Sequence, residues 1–223
     1  EVNVSPEGYR SNVLDDEETV ILTLMGEESN RIYAGLDEIP ECLQKAVISI
    51  EDERFYRHPG VDLQGIARAA YRNIVAGRLS EGASTITQQL AKLLYTEVSG
   101  NKLGRVTQKP IEWVIAVQLE RQYTKEEIIS LYLNKYDFGN NAVGIKSAAN
   151  VYFGKLPSQL KTEEAAMLVG MCKNSSLYNP RRRPEKTRDR RNVVLMQMEK
   201  AGYITAEEKD SLSALPLVID YHP

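Results

Sequence analysis

Cysteine, histidine and long apolar runs are all scarce in this chain of 223 residues, and each scarcity removes a class of answer. The two cysteines, Cys42 and Cys172, each sit inside an apolar pattern, so neither a disulfide framework nor a thiolate metal site follows and both read as small buried thiols. His58 is the one interior histidine, and with no cysteine or second histidine beside it a His-built metal cage does not follow. There is no run of about 18 apolar residues and no signal-like segment, so the chain as it stands reads neither as crossing a membrane nor as carrying its own address. A net charge of −3 gives no global field for polyanions, and no nucleic-acid partner is expected. What is present, 42% apolar and 26% charged residues, is enough to bury one good core or two modest lobes.

The apolar period is helical from Ile39 onward, with Leu43, Ala46, Val47 and Ile50 at i, i+3, i+4 and i+7. That spacing predicts a helix ending at Glu51 and Asp52. Asp62 is a predicted N-cap for a second helix with Ile66, Ala69, Ala70, Asn73 and Ile74 as its stripe and a stop at Gly77. Thr85 and Gln88 form a Thr-x-x-Gln capping box for a third, with Ile86, Leu90, Leu93 and Leu94 inward and Thr85, Gln89 and Lys92 as a polar row on another face. Thr107 opens a fourth, with Pro110 in the first turn, where a missing N–H costs nothing. Further starts fall at Thr124, near Ile145, at Thr162, at Pro184 and at Thr205. About eight closely spaced helices argue for a mainly α domain. Ahead of them, residues 19–25 and 31–34 are β-prone and flank a polar turn at 26–30, which predicts a short N-terminal hairpin or entry linker. The divisions expected are 1–35 for that segment, 36–203 for the main domain and 204–223 for a C-terminal helix and a linker leaving it.

Glu51-Asp52-Glu53-Arg54-Phe55-Tyr56-Arg57-His58-Pro59-Gly60 places two adjacent acids beside aromatics at a helix end. Burial against Phe55 or Tyr56 would raise one carboxyl and make it a candidate acid or base, against the plain alternative of a solvated acidic turn. Glu112 supplies a further acid, and glycosyl chemistry commonly sets carboxylates on opposite sides of a reacting sugar. Lys92 and Lys109 are the fixed cations that phosphate oxygens require. For His58 a structural hydrogen bond and a substrate contact both stay open. Residues 181–191 hold seven basic and two acidic side chains, read as a charged helix start whose arginines pair with neighbouring acids rather than as a patch for anionic lipid.

The first stretch and Gly82-Ala83-Ser84-Thr85-Ile86-Thr87-Gln88-Gln89-Leu90-Ala91-Lys92 resemble the first two motifs of the peptidoglycan glycosyltransferases (glycosyltransferase family 51), the domain that begins class A penicillin-binding proteins. Gln108-Lys109-Pro110-Ile111-Glu112 is similar to the third, with Gln108 where arginine is usual. Lys125-Glu126-Glu127-Ile128-Ile129-Ser130-Leu131-Tyr132-Leu133-Asn134 resembles the fourth, and stretches between Met167 and Leu195 the fifth.

The resemblance implies a lysozyme-like helical fold with a small membrane-facing jaw between about Val61 and Lys109. It implies an enzyme that polymerises lipid II into β-1,4-linked glycan with inversion at the donor carbon and release of undecaprenyl pyrophosphate. Glu51 would be the general base and Glu112 would lie near the leaving pyrophosphate, helping to place a divalent cation (Mg or Mn) or positioning Lys109. Lys92, Lys109 and Lys173 would bind phosphate oxygens, Ser84, Thr85 and Gln89 the donor, while Asp52, Phe55 and His58 shape the loop around the base. No organic cofactor is expected. Partners implied are lipid II, the growing strand, the membrane surface and other cell-wall synthesis proteins. The implied setting is the outer face of the bacterial cytoplasmic membrane, with a transmembrane helix ahead of Glu1 and a transpeptidase after Pro223. Two other readings remain: a lysozyme-like glycan-cleaving enzyme, for which several lysines have no use, and a non-catalytic helical scaffold, which leaves the acids and lysines without a common purpose.

Overall fold

The computed structural model describes residues 11–14, 20–24, 33–77, 83–95 and 102–222, with the backbone alone at 11–14, 20–24 and 102–108. Within these residues the protein is mainly helical. Two short strands, β1 (Ser11–Leu14) and β2 (Val20–Leu24), pair antiparallel with an irregular register between Val13 and Leu14. The expected partner of the second strand was 31–34, of which only Tyr33 and Ala34 are described, and they are not in a strand. The expected turn at 26–30 lies outside the described residues.

Nine helices follow among the described residues: α1 (Glu41–Glu51), α2 (Leu63–Ala76), α3 (Ile86–Tyr95), α4 (Lys102–Gln122), α5 (Lys125–Lys135), α6 (Ile145–Phe153), α7 (Thr162–Met171), α8 (Pro184–Lys200) and α9 (Ala206–Ala214). Local chemistry sets their ends. Asp62 caps α2 by accepting from the Gly65 N–H, and α2 stops at the left-handed Gly77. Thr124 with Glu127 and Thr205 with Glu208 close reciprocal capping boxes on α5 and α9.

The core lies where α1, α7 and α8 pack on one another and α3 packs on α4 and α5. Leu43, Ala46 and Val47 of α1, Ile86 and Leu90 of α3, Ile128 and Tyr132 of α5, and Ala165 through Met171 of α7 are buried there. Each fully buried aliphatic side chain of this kind contributes about 1.5–3 kcal/mol. Asn134 at the end of α5 fixes the entering chain, accepting from the Ala34 N–H at 2.7 Å and donating to the Ala34 carbonyl at 3.0 Å.

Four expectations need correction. Helix α4 begins at Lys102, not Thr107, so Pro110 lies inside it, at an exposed position. Leu93 of α3 is 41% exposed, while Thr87, Gln88 and Ala91 take the inner positions, so the buried face is rotated from the one expected. Helix α2 keeps only Gly65 and Ala69 buried and leaves Ile74 79% exposed, because no described element covers its apolar side. Residues 216–222 do not lead away: the Asp220 and His222 N–H groups donate to the Tyr152 and Val151 carbonyls, and the Arg181 guanidinium lies 3.9 Å from the Tyr221 ring centroid.

Candidate active site

Glu51 is the last residue of α1, and its side chain is 14% exposed. Three elements meet it. From α3, the Gln89 amide donates to Glu51 Oε2 at 2.8 Å, and from α5 the Tyr132 hydroxyl donates to Gln89 Oε1 at 3.0 Å. From α8, a terminal guanidinium nitrogen of Arg190 stands 3.9 Å from Glu51 Oε1, while Arg190 Nε donates to the Gly170 carbonyl at 3.4 Å. One carboxylate oxygen is therefore tied to an amide and the other faces a cation.

The loop after Glu51 is fixed by a buried polar network. His58 Nδ1 accepts from the Gly60 N–H at 3.2 Å, so Nε2 carries the proton and donates to the Asp52 carboxylate at 3.0 Å. Asp52 Oδ2 also accepts the Ile86 N–H at 3.1 Å, a carboxylate at the start of α3 where the helix dipole favours it. Thr85 donates to the Gly60 carbonyl at 2.6 Å and accepts from the Gln88 N–H. Gln88 Nε2 is buried without a partner among the described residues, and the Ile86 N–H at the start of α3 is served by Asp52 rather than by a side chain of the helix itself. Gly60 has φ of +91°, and a Cβ there would sit 2.8 Å from the Ala116 carbonyl oxygen, so only glycine allows the loop to lie against α4. Lys125 locks the outside: its ammonium donates to the His58 carbonyl at 2.7 Å and to Glu120 at 2.8 Å, 4.3 Å from the Phe55 ring centroid. Arg54 grips Asp62 through two nitrogens at 2.5 and 3.1 Å, joining this loop to the start of α2.

Glu51 lines two cavities. One, of about 400 Å³, is walled by Glu51, Ser84, Lys92, Lys109, Glu112 and Lys173. Its floor is Tyr132, Tyr136 and Cys172. Burial first, and the nearby Glu51 charge among lesser causes, pushes the Tyr132 and Tyr136 hydroxyls and the Cys172 thiol up, so all three stay neutral and offer no nucleophile. Lys109 donates to Glu112 at 2.7 Å and to Ser84 at 3.1 Å. Glu112 is 4% exposed and the Lys109 side chain 46%, so the acid is a fixed anchor and the lysine reaches outward. The other cavity, of about 460 Å³, is walled by Arg54, Arg68, Arg72, Lys200 and Thr85, with Glu51 and Ser84 common to both.

The structure thus gathers Glu51, Ser84, Gln89, Lys92, Lys109, Glu112 and Lys173 round one cavity. Thr85, expected in the same row, is 2% exposed and spends its hydroxyl on the loop. Asp52, Phe55 and His58 are buried and hold the loop rather than facing the first cavity. Sequence reasoning missed Arg190, whose run of arginines was taken as pairing with neighbouring acids. Arg190 instead faces Glu51, and Arg191 is buried under α9, while among the described residues only Arg188 with Asp189 at 3.8 Å makes such a pair. Alternating helix faces at 190 and 191 were the signal for that split. The cations of the second cavity were also missed, because they come from the loop after α1, from α2 and from α8, far apart in the chain.

Comparison with known proteins gives this arrangement a family. Residues 17–199 match the Transglycosylase family. The chain is 39% identical to penicillin-binding protein 1F of Bacillus subtilis (strain 168) over 198 residues, covering 89% of this chain and 27% of that protein. It is 42% identical to penicillin-binding protein 1A of Escherichia coli (strain K12) over 195 residues, 87% of this chain and 22% of the relative. The crystal structure of penicillin-binding protein 1A from Haemophilus influenzae has a similar fold, with a TM-score of 0.52 and 24% identity, covering 97% of this chain and 22% of that one. The chain belongs to the transglycosylase family, the peptidoglycan glycosyltransferase domain of class A penicillin-binding proteins. It spans about a quarter of the length of the curated relatives it matches.

Proposed function

We propose that this domain elongates glycan strands from lipid II, with Glu51 as the general base. The observation that carries the reading is that Glu51 lies on the wall common to two cation-lined cavities. An acceptor sugar in the arginine-lined cavity would present its 4-hydroxyl to Glu51. The oxygen attacks the anomeric carbon of the donor as the proton passes to the carboxylate, and the bond to the pyrophosphate oxygen breaks on the opposite face. This single displacement inverts the carbon and needs no covalent glycosyl-enzyme. Lys92, Lys109 and Lys173 offset the charge that grows on the departing diphosphate. Ser84 lies within reach of both substrates, Gln89 orients the base, and Glu112 holds Lys109 rather than reacting.

A divalent cation does not enter this proposal. Glu112 already pairs with Lys109, and among the described residues no group of three or more His, Cys, Asp or Glu side chains could hold a metal ion. That donor set does not build a protein metal site, and no step here runs through one.

The jaw is placed between about Val61 and Lys109, with α2 as its described helix, and its apolar surface is extended here to the exposed residues of α4 that follow Lys109. Leu63, Tyr71, Ile74 and Val75 of α2 and Ile111 and Val114 of α4 are all more than half exposed, an apolar surface suited to the lipid that carries the substrate. No described helix is long and apolar enough to cross a membrane. The proposed setting is the outer face of the bacterial cytoplasmic membrane, with cell-wall synthesis proteins as partners. Polymerisation of lipid II by Glu51→Gln tests the central assignment. A loss of about 10³-fold or more with an unchanged melting curve is expected, and undiminished polymer would remove Glu51 as the base.

A further inference from the structure

We propose that Tyr132 is a positioning residue for the base: its hydroxyl holds the Gln89 amide so that the NH₂ end, not the carbonyl end, meets Glu51. This rests on the reading of Glu51 as the base. The two ends of an amide are nearly the same shape, and only their partners decide which way it points. Gln89 has a partner at each end, Glu51 Oε2 at 2.8 Å and the Tyr132 hydroxyl at 3.0 Å. Tyr132 is fully buried on α5, where its ring has no freedom to follow a turning amide.

The consequence appears when Glu51 has taken a proton. A carboxylate accepts only, so before the reaction it draws the NH₂ of Gln89 unaided. A protonated Glu51 can donate, and an amide turned round would accept from it and stabilise the protonated form. The Tyr132 hydroxyl, donating to Oε1, opposes that turn and keeps the site set for the ionised base. It also leaves Glu51 Oε1, on the Arg190 side, as the oxygen that receives the acceptor proton.

The other groups facing Glu51 are Arg190 from α8, Tyr136 just after α5 and Cys172 at the end of α7, while the neighbouring Asp52 is turned to His58 and the Ile86 N–H. Lys92, Lys109, Glu112 and Lys173 share its cavity. Tyr132→Phe keeps the ring beside Tyr136 and removes only the hydroxyl, which meets Gln89 and the Cys172 thiol, so Gln89→Ala and the double variant are what assign a change in the acidic limb to the amide.

The test is steady-state polymerisation of lipid II as a function of pH by this chain and by Tyr132→Phe, Gln89→Ala, the double variant and Glu51→Gln, with melting curves for each. Tyr132→Phe is expected to raise the acidic limb of kcat by about half a pH unit and lower kcat below that limb about threefold, with KM within about twofold. Gln89→Ala, which removes a donor from the carboxylate, raises the limb at least as far, and Tyr132→Phe adds nothing in its background. A purely structural tyrosine would lower the melting temperature and leave the limb in place. An unmoved limb in Tyr132→Phe or in Gln89→Ala, or an equal further shift in the double variant, overturns the inference. With Glu51→Gln inactive, those outcomes remove the tyrosine alone; an active Glu51→Gln removes the base and the inference together.

Discussion

Helices α7 and α2 are of similar make, short and rich in alanine and aliphatic residues, yet they meet opposite fates. Every residue of α7 from Ala165 to Met171 is buried between α1 and α8, whereas α2 buries Gly65 and Ala69 and turns Leu63, Tyr71, Ile74 and Val75 outward. Glu51 lies between these two regions, at the end of a core helix and at the mouth of the loop that leads to α2. The difference teaches that the core side supplies fixed geometry, while the α2 side is attached by few side chains and offers apolar surface. A change in the core should therefore act on folding, and a change at the far end of α2 on association alone.

The sharpest break of that contrast is Arg191→Ala. Arg191 is 1% exposed, and its guanidinium donates to the Ser213, Leu215 and Pro216 carbonyls, tying α8 to the end of α9. Burial lowers its pKa, opposed by the Glu163 charge, so the carbonyls are what offset the cost of a cation in the interior. Removing it leaves those carbonyls short of donors, and a loss of about 3 kcal/mol is expected. That corresponds to a melting temperature lower by roughly 6–12 °C; a shift under about 2 °C would mean that α9 and residues 216–222 are not part of the cooperative unit.

Lys109→Ala comes next and acts on rate. The lysine is half exposed, so folding should barely notice, but polymerisation should fall roughly 30-fold, about 2 kcal/mol, if it stabilises the departing diphosphate. Wild-type turnover would place the leaving group elsewhere. A fall in stability matching the fall in rate would move Lys109 to the structural side of the comparison.

How far the sequence foretold these regions follows from what each signal measures. Capping chemistry is local, and the starts of α2, α5 and α9 were legible in Asp62, Thr124 and Thr205. The termination of α1 beside Glu51 was legible too, since the period of Leu43, Ala46 and Val47 runs out there. Periodicity measures only that a helix has an apolar side, not what covers it, which is why Ile74 was placed inward with the same logic that worked for Val47. The site was legible where its residues are close in sequence, as with Lys109 and Glu112 one helical turn apart. Arg190 and Tyr132 reach Glu51 only through the packing of α8 and α5, which no local pattern encodes.

Asp62→Asn probes the joint between the two regions and carries a pH signature. Burial alone would raise the Asp62 carboxyl, but the Arg54 guanidinium and the Gly65 N–H outweigh it and hold the group below its ordinary 3.8. A carboxyl depressed by folding stabilises the fold above the unfolded value, and that stabilisation is lost as pH falls through the folded one. Asparagine keeps the cap and loses the charge, so a cost of about 1–2 kcal/mol is expected at neutral pH. Urea unfolding should show the gap between the two proteins closing as pH is taken below 3.8; a gap that persists in acid would mean packing, not charge, holds the joint.

The smallest effect on folding and the clearest statement about α2 come from Ile74→Ser with Val75→Ser. These side chains are 79% and 68% exposed, so stability should change by less than about 0.5 kcal/mol. If the face enters lipid, the pair should weaken binding to phosphatidylglycerol vesicles roughly 30-fold, because each of the two apolar side chains taken into the interface adds of order 1 kcal/mol. A loss of folding stability instead would reveal that this face is covered within the protein. Unchanged vesicle binding with unchanged stability would leave the end of α2 exposed but move the membrane contact to Leu63 and Tyr71 of α2 or to Ile111 and Val114 of α4.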